Sequence, residues 1–353
     1  MCRSRAGITS PQSGDGRPIG VADLTGDASV KNRDFGLDTR AMEEFAHYLM
    51  ETGWLDTLEA DLASMNSDKL GRPFEFTDKA IGWANRVRIV FKIGYRLARG
   101  MLNHFLRGLG LSGISLTQFY DRCRRISAVG GADGRVLASG SCDVDVSEAP
   151  ISVAVDSTGM SLNKYGGWRC HHWNLKSVTG WIKLHAAADP DTNRILAYAV
   201  TDESCGDVNI LGPLVEDVTS AGHRVGKILA DAAYDKKDYW NEYTARGIDV
   251  AINIKSSQLN RNVPDRPSRI VSHGSAARGR EMRRILDIGR DGWKKEKGYG
   301  RRWKVECTFS DAKRLFGDVL RSRTRQADVE ETVAKVVLLN EYKGIRMRCQ
   351  GSR

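Results

Sequence analysis

Two short runs of Val, Ile, Leu and Ala each end in a carboxylate: Ile151-Ser-Val-Ala-Val-Asp156 and Arg224-Val-Gly-Lys-Ile-Leu-Ala-Asp231. Runs of this length, bounded by turn residues, read as buried strands. Between them lie Trp181–Asp189 and Arg194–Thr201, joined by Pro190-Asp-Thr-Asn193, a turn by composition. Asp207–Thr219 reads as a helix, Lys236–Arg246 as another, and Val250–Ile254 as a further strand. Three strands in antiparallel succession, followed by strand–helix–strand alternation, predict an α/β unit with one mixed sheet and helices on its faces. In such sheets ligands gather at the carboxyl ends of strands. Asp156 and Asp231 are therefore candidate site residues by position, although one strand-end Asp alone is usually a turn or capping acid.

A third acid comes from Tyr299-Gly-Arg-Arg-Trp-Lys-Val-Glu-Cys-Thr-Phe-Ser-Asp-Ala-Lys313. Lys304 to Phe316 contains neither Pro nor Gly, and Gly317 follows as a stop, which predicts a helix. Arg302, Glu306, Phe309 and Lys313 then share one face. The simplest reading of Arg302 and Glu306 is an exposed ion pair, worth about 0.2–0.5 kcal/mol. Trp303, Val305, Phe309, Leu315 and Phe316 argue instead for a helix with one side in a core and a charged edge on a polar cleft. Asp156, Asp231 and Glu306 together make an oxygen-only donor set. Hard cations such as Mg²⁺ choose such sites, and two ions roughly 4 Å apart would suit phosphodiester chemistry. Three carboxylates repel one another without cations, so the electrostatics imply metal.

The half before Asp156 is different. Helices are predicted from Thr39 to Gly53, over Trp54–Met65, Thr77–Phe91, Tyr95–Leu106 and Ser115–Ile126. The last pair outlines a helix-turn-helix whose second helix carries Gln118, Tyr120, Arg122, Arg124 and Arg125, side chains suited to phosphates and base edges. Residues 1–38 read as a mobile arm, 39–127 as a helical DNA-binding domain and 128–149, small and polar, as a linker. The α/β domain spans 150–348.

Net charge is +10, and residues 255–302 hold 14 Lys/Arg against 5 Asp/Glu, a surplus of nine. That segment shows no regular pattern and reads as a basic insert, with the core of it at 255–300. Arg278, Arg280, Arg283 and Arg284 are its candidate DNA contacts, because a dense cationic surface points to nucleic acid. The seven cysteines include no C-x-x-C pair, which fits reduced thiols of the cytoplasm. Cys170-His171-His172 lacks a second ligand pair at zinc spacing. No apolar run approaches the roughly 18 residues of a membrane span, and no apolar stretch follows the basic N-terminus as in a secretory signal.

These motifs, in this order, resemble those of bacterial and archaeal insertion-sequence transposases of the DDE class. Tyr299, Arg302, Glu306 and Lys313 match that class's Y-x2-R-x3-E-x6-K. Asp156-Ser157-Thr158-Gly159 is similar to its first-acid D-S-T, and Trp181-Ile-Lys-Leu-His185 to the W-x-K-L-H strand that follows. Ala230-Asp231-Ala-Ala-Tyr234-Asp235 is similar to G-D-x-x-Y-D, with Ala230 in place of Gly. The likeness extends over roughly residues 77–346. It implies a ribonuclease H-like catalytic core with Asp156, Asp231 and Glu306 as catalytic metal ligands for two Mg²⁺ (or Mn²⁺) ions. Lys313 would hold a phosphate, Arg302 would do the same or orient Glu306, and Tyr299 would stack on or hydrogen-bond DNA. Double-stranded DNA, as terminal inverted repeats and target, would be the partner of a homodimer at paired ends, in the nucleoid-associated cytoplasm and away from membranes. A ribonuclease H-like nuclease without strand transfer, and a non-catalytic DNA-binding remnant, are the alternative readings.

Overall fold

The sheet is assembled around its longest strand. β2 (Ile151–Leu162) runs through the centre, with Val153, Ala154 and Val155 fully buried. In this computed structural model, residues 35–126, 136–162, 180–255, 259, 274–322 and 324–351 are described. Most of the expected arm, Cys170-His171-His172 and most of 256–273 lie outside them.

β2 pairs antiparallel with β3 (Trp181–Ala188), and β3 pairs antiparallel with β4 (Ile195–Asp202). On the other side β2 pairs parallel with β5 (Val225–Ala230), and β5 pairs parallel with β6 (Asp249–Ile252). This is the ribonuclease H-like arrangement, a mixed sheet flanked by helices. The centre is rich in alanine: Ala154, Ala186, Ala187, Ala188, Ala197 and Ala199 are all buried, which lets helices approach both faces closely. A short β7 (Val319–Leu320) joins the far end of β2 in parallel.

An edge strand, β1 (Val136–Ser141), pairs antiparallel with β4. It lies inside the stretch read as a linker, so that reading is corrected. Val136-Leu-Ala-Ser-Gly-Ser is weakly apolar, and an edge strand needs only one neighbour and a half-buried face.

The helices before the sheet are α1 (Phe35–Met50), α2 (Leu58–Asn66), α3 (Asp78–Val90), α4 (Tyr95–Gly108) and α5 (Leu116–Ile126). Thr77 caps α3 by accepting from the Ala80 N–H at 3.2 Å. Trp54, Ile81, Trp83, Leu102, Leu106 and Phe119 form a core of their own among α2 to α5. α1 belongs elsewhere. Its Ala41, Phe45 and Leu49 join the core of the sheet, and the Phe45 ring meets Tyr342 edge-on at 5.5 Å. Burying Phe45 there contributes about 1.5–3 kcal/mol to holding α1 on the sheet domain.

After β4 come α6 (Leu211–Ser220), α7 (Lys237–Ala245), α8 (Ala276–Glu296), α9 (Trp303–Phe316) and α10 (Arg325–Gly351). α8 corrects the expectation of an irregular insert. Its apolar stripe was hidden because Gly289, at φ 75°, breaks the helical period between Met282 and Ile285 on one side and Trp293 on the other. The two cores meet at a buried ion pair, Arg88 on α3 with Glu331 on α10 at 3.3 Å. Lys335 on α10 then donates to the carbonyls of Gly317 and Val319, tying off the end of α9.

Candidate active site

The parallel register of β2 and β5 sets Val155 beside Ala230. Asp156 and Asp231 are each the next residue, so the sheet brings them side by side. β5 ends there. Asp231 starts a turn, and its Oδ1 accepts from the Ala233 N–H at 2.7 Å. The carboxylate is thus fixed by its own turn, as an N-cap acid is.

Glu306 arrives from the first turn of α9. A 3₁₀ turn, Tyr299–Arg302, leads into that helix after Gly298, whose φ of 60° suits glycine. The Tyr299 hydroxyl donates to the Ala230 carbonyl at 3.1 Å. Its ring lies 5.7 Å from that of buried Trp293. Tyr299 is therefore buried structure that fastens the start of α9 to the strand end before Asp231. The expectation that it stacks on DNA is corrected.

Arg302 joins the acids. Its Nη1 donates to Asp156 Oδ2 at 2.9 Å and its Nη2 to Glu306 Oε1 at 2.5 Å. Asp156 Oδ1 accepts from the Ser157 N–H at 2.8 Å. Burial pushes the Asp156 carboxyl pKa up, and Asp231 and Glu306 push the same way, against the Ser157 N–H and Arg302. The net effect is upward, and burial leads it.

Such a site fits a hard divalent cation by its donors, all carboxylate oxygens. Arg302 bridges Asp156 and Glu306. As they stand, no three acidic, imidazole or thiol groups among the described residues are close enough to hold one ion. Asp156, Asp231 and Glu306 are the residues that would hold it, with Glu306, about half exposed, on the open side.

The predicted basic contacts separate into kinds. Lys313 is half-buried two turns beyond Glu306 and makes no ion pair among the described residues. Arg280 and Arg283 are exposed on α8. Arg284, on the same helix, is neutralised by Glu296 at 2.6 Å and Asp287 at 3.0 Å. Arg278 is not a surface residue. It is 5% exposed and bonds Asp235 through both Nε, at 2.8 Å, and Nη2, at 2.5 Å. Arg122 braces α3: its Nε donates to Asp78 at 3.0 Å, its Nη2 to the Phe76 carbonyl at 3.2 Å, and its guanidinium lies over Phe74. Arg124 faces Glu330 on α10 at 3.5 Å. The expected DNA contacts by Arg278 and Arg122 are corrected accordingly, since each guanidinium is taken up by a carboxylate of this chain; Arg124 keeps 38% of its side chain exposed beside Glu330. The Arg125 side chain is outside the described residues.

Sequence reasoning missed two anchors. Asp235, the last acid of the second-acid motif, is buried and also accepts from Trp240 Nε1 at 2.9 Å. Asp207, just before α6, accepts from Ser157 and Lys183. The D-S-T and W-x-K-L-H likenesses named Ser157, Lys183 and His185 of that second cluster but not Asp207.

A ribonuclease H-like sheet with carboxylates at adjoining strand ends, and a third on the following helix, defines a class of phosphoryl-transfer proteins. Residues 149–340, more than half the chain, match the sequence model of the family described as Transposase DDE domain. The chain belongs to that family. The structure is also similar to a chain of the Drosophila P element transposase strand transfer complex, at 13% identity and a TM-score of 0.30, over 86% of this chain and 71% of that one. So loose a superposition carries no argument.

Proposed function

We propose that this transposase binds the ends of an insertion sequence and catalyses DNA strand cleavage and strand transfer at Asp156, Asp231 and Glu306. The observation that supports this is the placement of Asp156 and Asp231 at adjoining strand ends, with Glu306 on α9 linked to Asp156 through Arg302. Bound there, two Mg²⁺ (or Mn²⁺) ions would polarise the scissile phosphate and lower the pKa of the attacking water. In the first step a water oxygen attacks phosphorus, the bond to the 3′-oxygen breaks, and a free 3′-hydroxyl is left at the element end. In the second, that hydroxyl attacks a target phosphodiester, and the target's own 3′-oxygen leaves. No covalent protein–DNA bond is needed.

Lys313 and Arg302 are the cations on the face that carries Glu306, placed to hold phosphate oxygens during in-line attack. Arg280 and Arg283 extend a cationic surface for the duplex. The helices α3 to α5 are the end-recognition unit, with Gln118 exposed on α5. Two copies, one on each end, would act together. The natural substrate is the DNA that flanks the gene, where inverted repeats bordered by a short direct duplication are expected.

Glu306→Gln tests the reading. It preserves shape and removes one metal-binding charge. Metal-dependent cleavage of end DNA should fall by at least about 10³-fold, while end binding measured by gel shift stays within a few-fold. Cleavage at the wild-type rate would falsify the assignment.

A further inference from the structure

Along a strand, successive side chains point to opposite faces. Asp156 points to Arg302 and α9, so Ser157 points to the other face of the sheet. There it meets a second polar cluster. Its cross-strand neighbour is His185, with Lys183 two residues away on the same side of β3. Asp207 closes the cluster from the turn before α6.

The bonds within it are directional. Ser157 Oγ donates to Asp207 Oδ1 at 3.2 Å, and Lys183 Nζ donates to the same oxygen at 3.1 Å and to the Cys205 carbonyl at 2.9 Å. His185 is fully buried, and burial pushes its pKa down to about 4 despite Asp207, so the ring is neutral. The Thr201 hydroxyl donates to the Asp202 carbonyl at 3.0 Å, which leaves its oxygen to accept from His185 Nε2 at 2.8 Å. Nδ1 is then an unprotonated acceptor. It lies 3.7 Å from Asp207 Oδ1 and has no hydrogen-bond partner among the described residues. Tyr234, three residues after Asp231, is also fully buried, with Asp207 and the Ser157 side chain near its hydroxyl. Burial first, then Asp207, Asp156 and Asp231, push its hydroxyl pKa up, so it stays a neutral phenol.

Asp207 therefore takes its hydrogen bonds from Ser157 and Lys183, and His185 offers it none. Lys183 holds the carboxylate, and the carboxylate holds the Ser157 side chain. Ser157 in turn donates its backbone N–H to Asp156 Oδ1, so locking Ser157 leaves Oδ2 as the oxygen facing the site. Groups that orient a metal-binding residue from behind change metal affinity without touching the metal.

We propose that Asp207 is a positioning residue for Asp156, acting through Ser157 and held in place by Lys183. The inference rests on the reading of Asp156 as a metal ligand. It assigns a task to the W-x-K-L-H strand: Lys183 supplies the cation, and neutral His185 walls the carboxylate in without competing for it.

The test uses the full chain and Mn²⁺ alone as probe, with affinity read by electron paramagnetic resonance. Asp207→Asn and Ser157→Ala should each weaken Mn²⁺ binding about 10-fold. Each should lower kcat for end cleavage similarly, with KM for DNA and the thermal midpoint nearly unchanged. The double variant should be no worse than Asp207→Asn, since both cut one chain of bonds. Losses that multiply, or Mn²⁺ affinity untouched by both variants, overturn the proposal. Ser157→Ala removes one hydroxyl and keeps the test alive if Asp207→Asn misfolds. Asp156→Asn separates the two readings. If it too leaves Mn²⁺ affinity unchanged, the metal site itself is wrong. If it abolishes binding while Asp207→Asn does not weaken it, only the positioning role fails.

Discussion

Arg302 and Arg278 are both arginines bonded to aspartates at the edges of one sheet domain, and they are built for opposite ends. Arg278 makes a two-point bond to Asp235, with side chains 6% and 3% exposed. Trp240 donates to the same carboxylate, and Ser275 caps the helix that carries the arginine. The remaining Nη1 donates to Met282 Sδ at 3.2 Å. Arg302 instead spans two acids, one of them Glu306 at 53% exposure, beside a third acid it does not bond. Its Nε is buried without a hydrogen-bond partner among the described residues. The first arrangement is complete and closed to solvent. The second sets three carboxylates against one guanidinium and leaves a donor unused, the arrangement on which the proposed metal site rests. The number of acids around an arginine, and their access to water, separate a structural ion pair from a site.

That contrast can be broken first at Arg278. Arg278→Ala should cost about 3–5 kcal/mol, because it leaves the Asp235 carboxylate buried and unpaired. Urea denaturation reads this directly, and a loss below about 1 kcal/mol would place Arg278 among exposed pairs after all. Arg302→Ala should behave in the contrary way. Mn²⁺ affinity of the free protein should rise roughly threefold to tenfold once the competing cation is gone. Cleavage should nonetheless fall, because the proposed phosphate contact is lost. Weaker Mn²⁺ binding would instead show that Arg302 organises the acids. The smallest effect sharpens the picture of α8. Replacing Arg280 and Arg283 with Ala should leave stability within about 0.5 kcal/mol. The slope of log affinity against log salt should flatten by about 1.8, two phosphate contacts' worth. Arg284→Ala, already neutralised by Glu296 and Asp287, should change that slope little.

Carboxylates and arginines differed in how far the sequence revealed them. Asp156 and Asp231 were legible because strand ends are set by local pattern, and neighbouring strands bring their ends together whatever else the fold does. Glu306 was legible because helical spacing fixed the face it shares with Arg302 and Lys313. The arginines were not. A guanidinium reaches several ångströms, and whether it meets a phosphate or an internal acid depends on partners far along the chain. Asp78 lies 44 positions from Arg122, and Asp235 lies 43 from Arg278. Tyr299 was misplaced for the same reason, its hydroxyl spent on a carbonyl 69 positions away.

By itself, then, the sequence determined the class of fold and the places of five of its strands along the chain, and it singled out the three candidate acids, because hydrophobic periodicity and residue spacing are local quantities. Only the tertiary structure decided that α1 belongs to the sheet domain and that the expected linker contributes an edge strand. It also showed a long kinked helix within the basic insert. It alone separated arginines that brace the fold from those left exposed, and put Asp207 against Ser157. These are matters of which distant groups compete for the same charge, and competition of that kind exists only once the chain is folded.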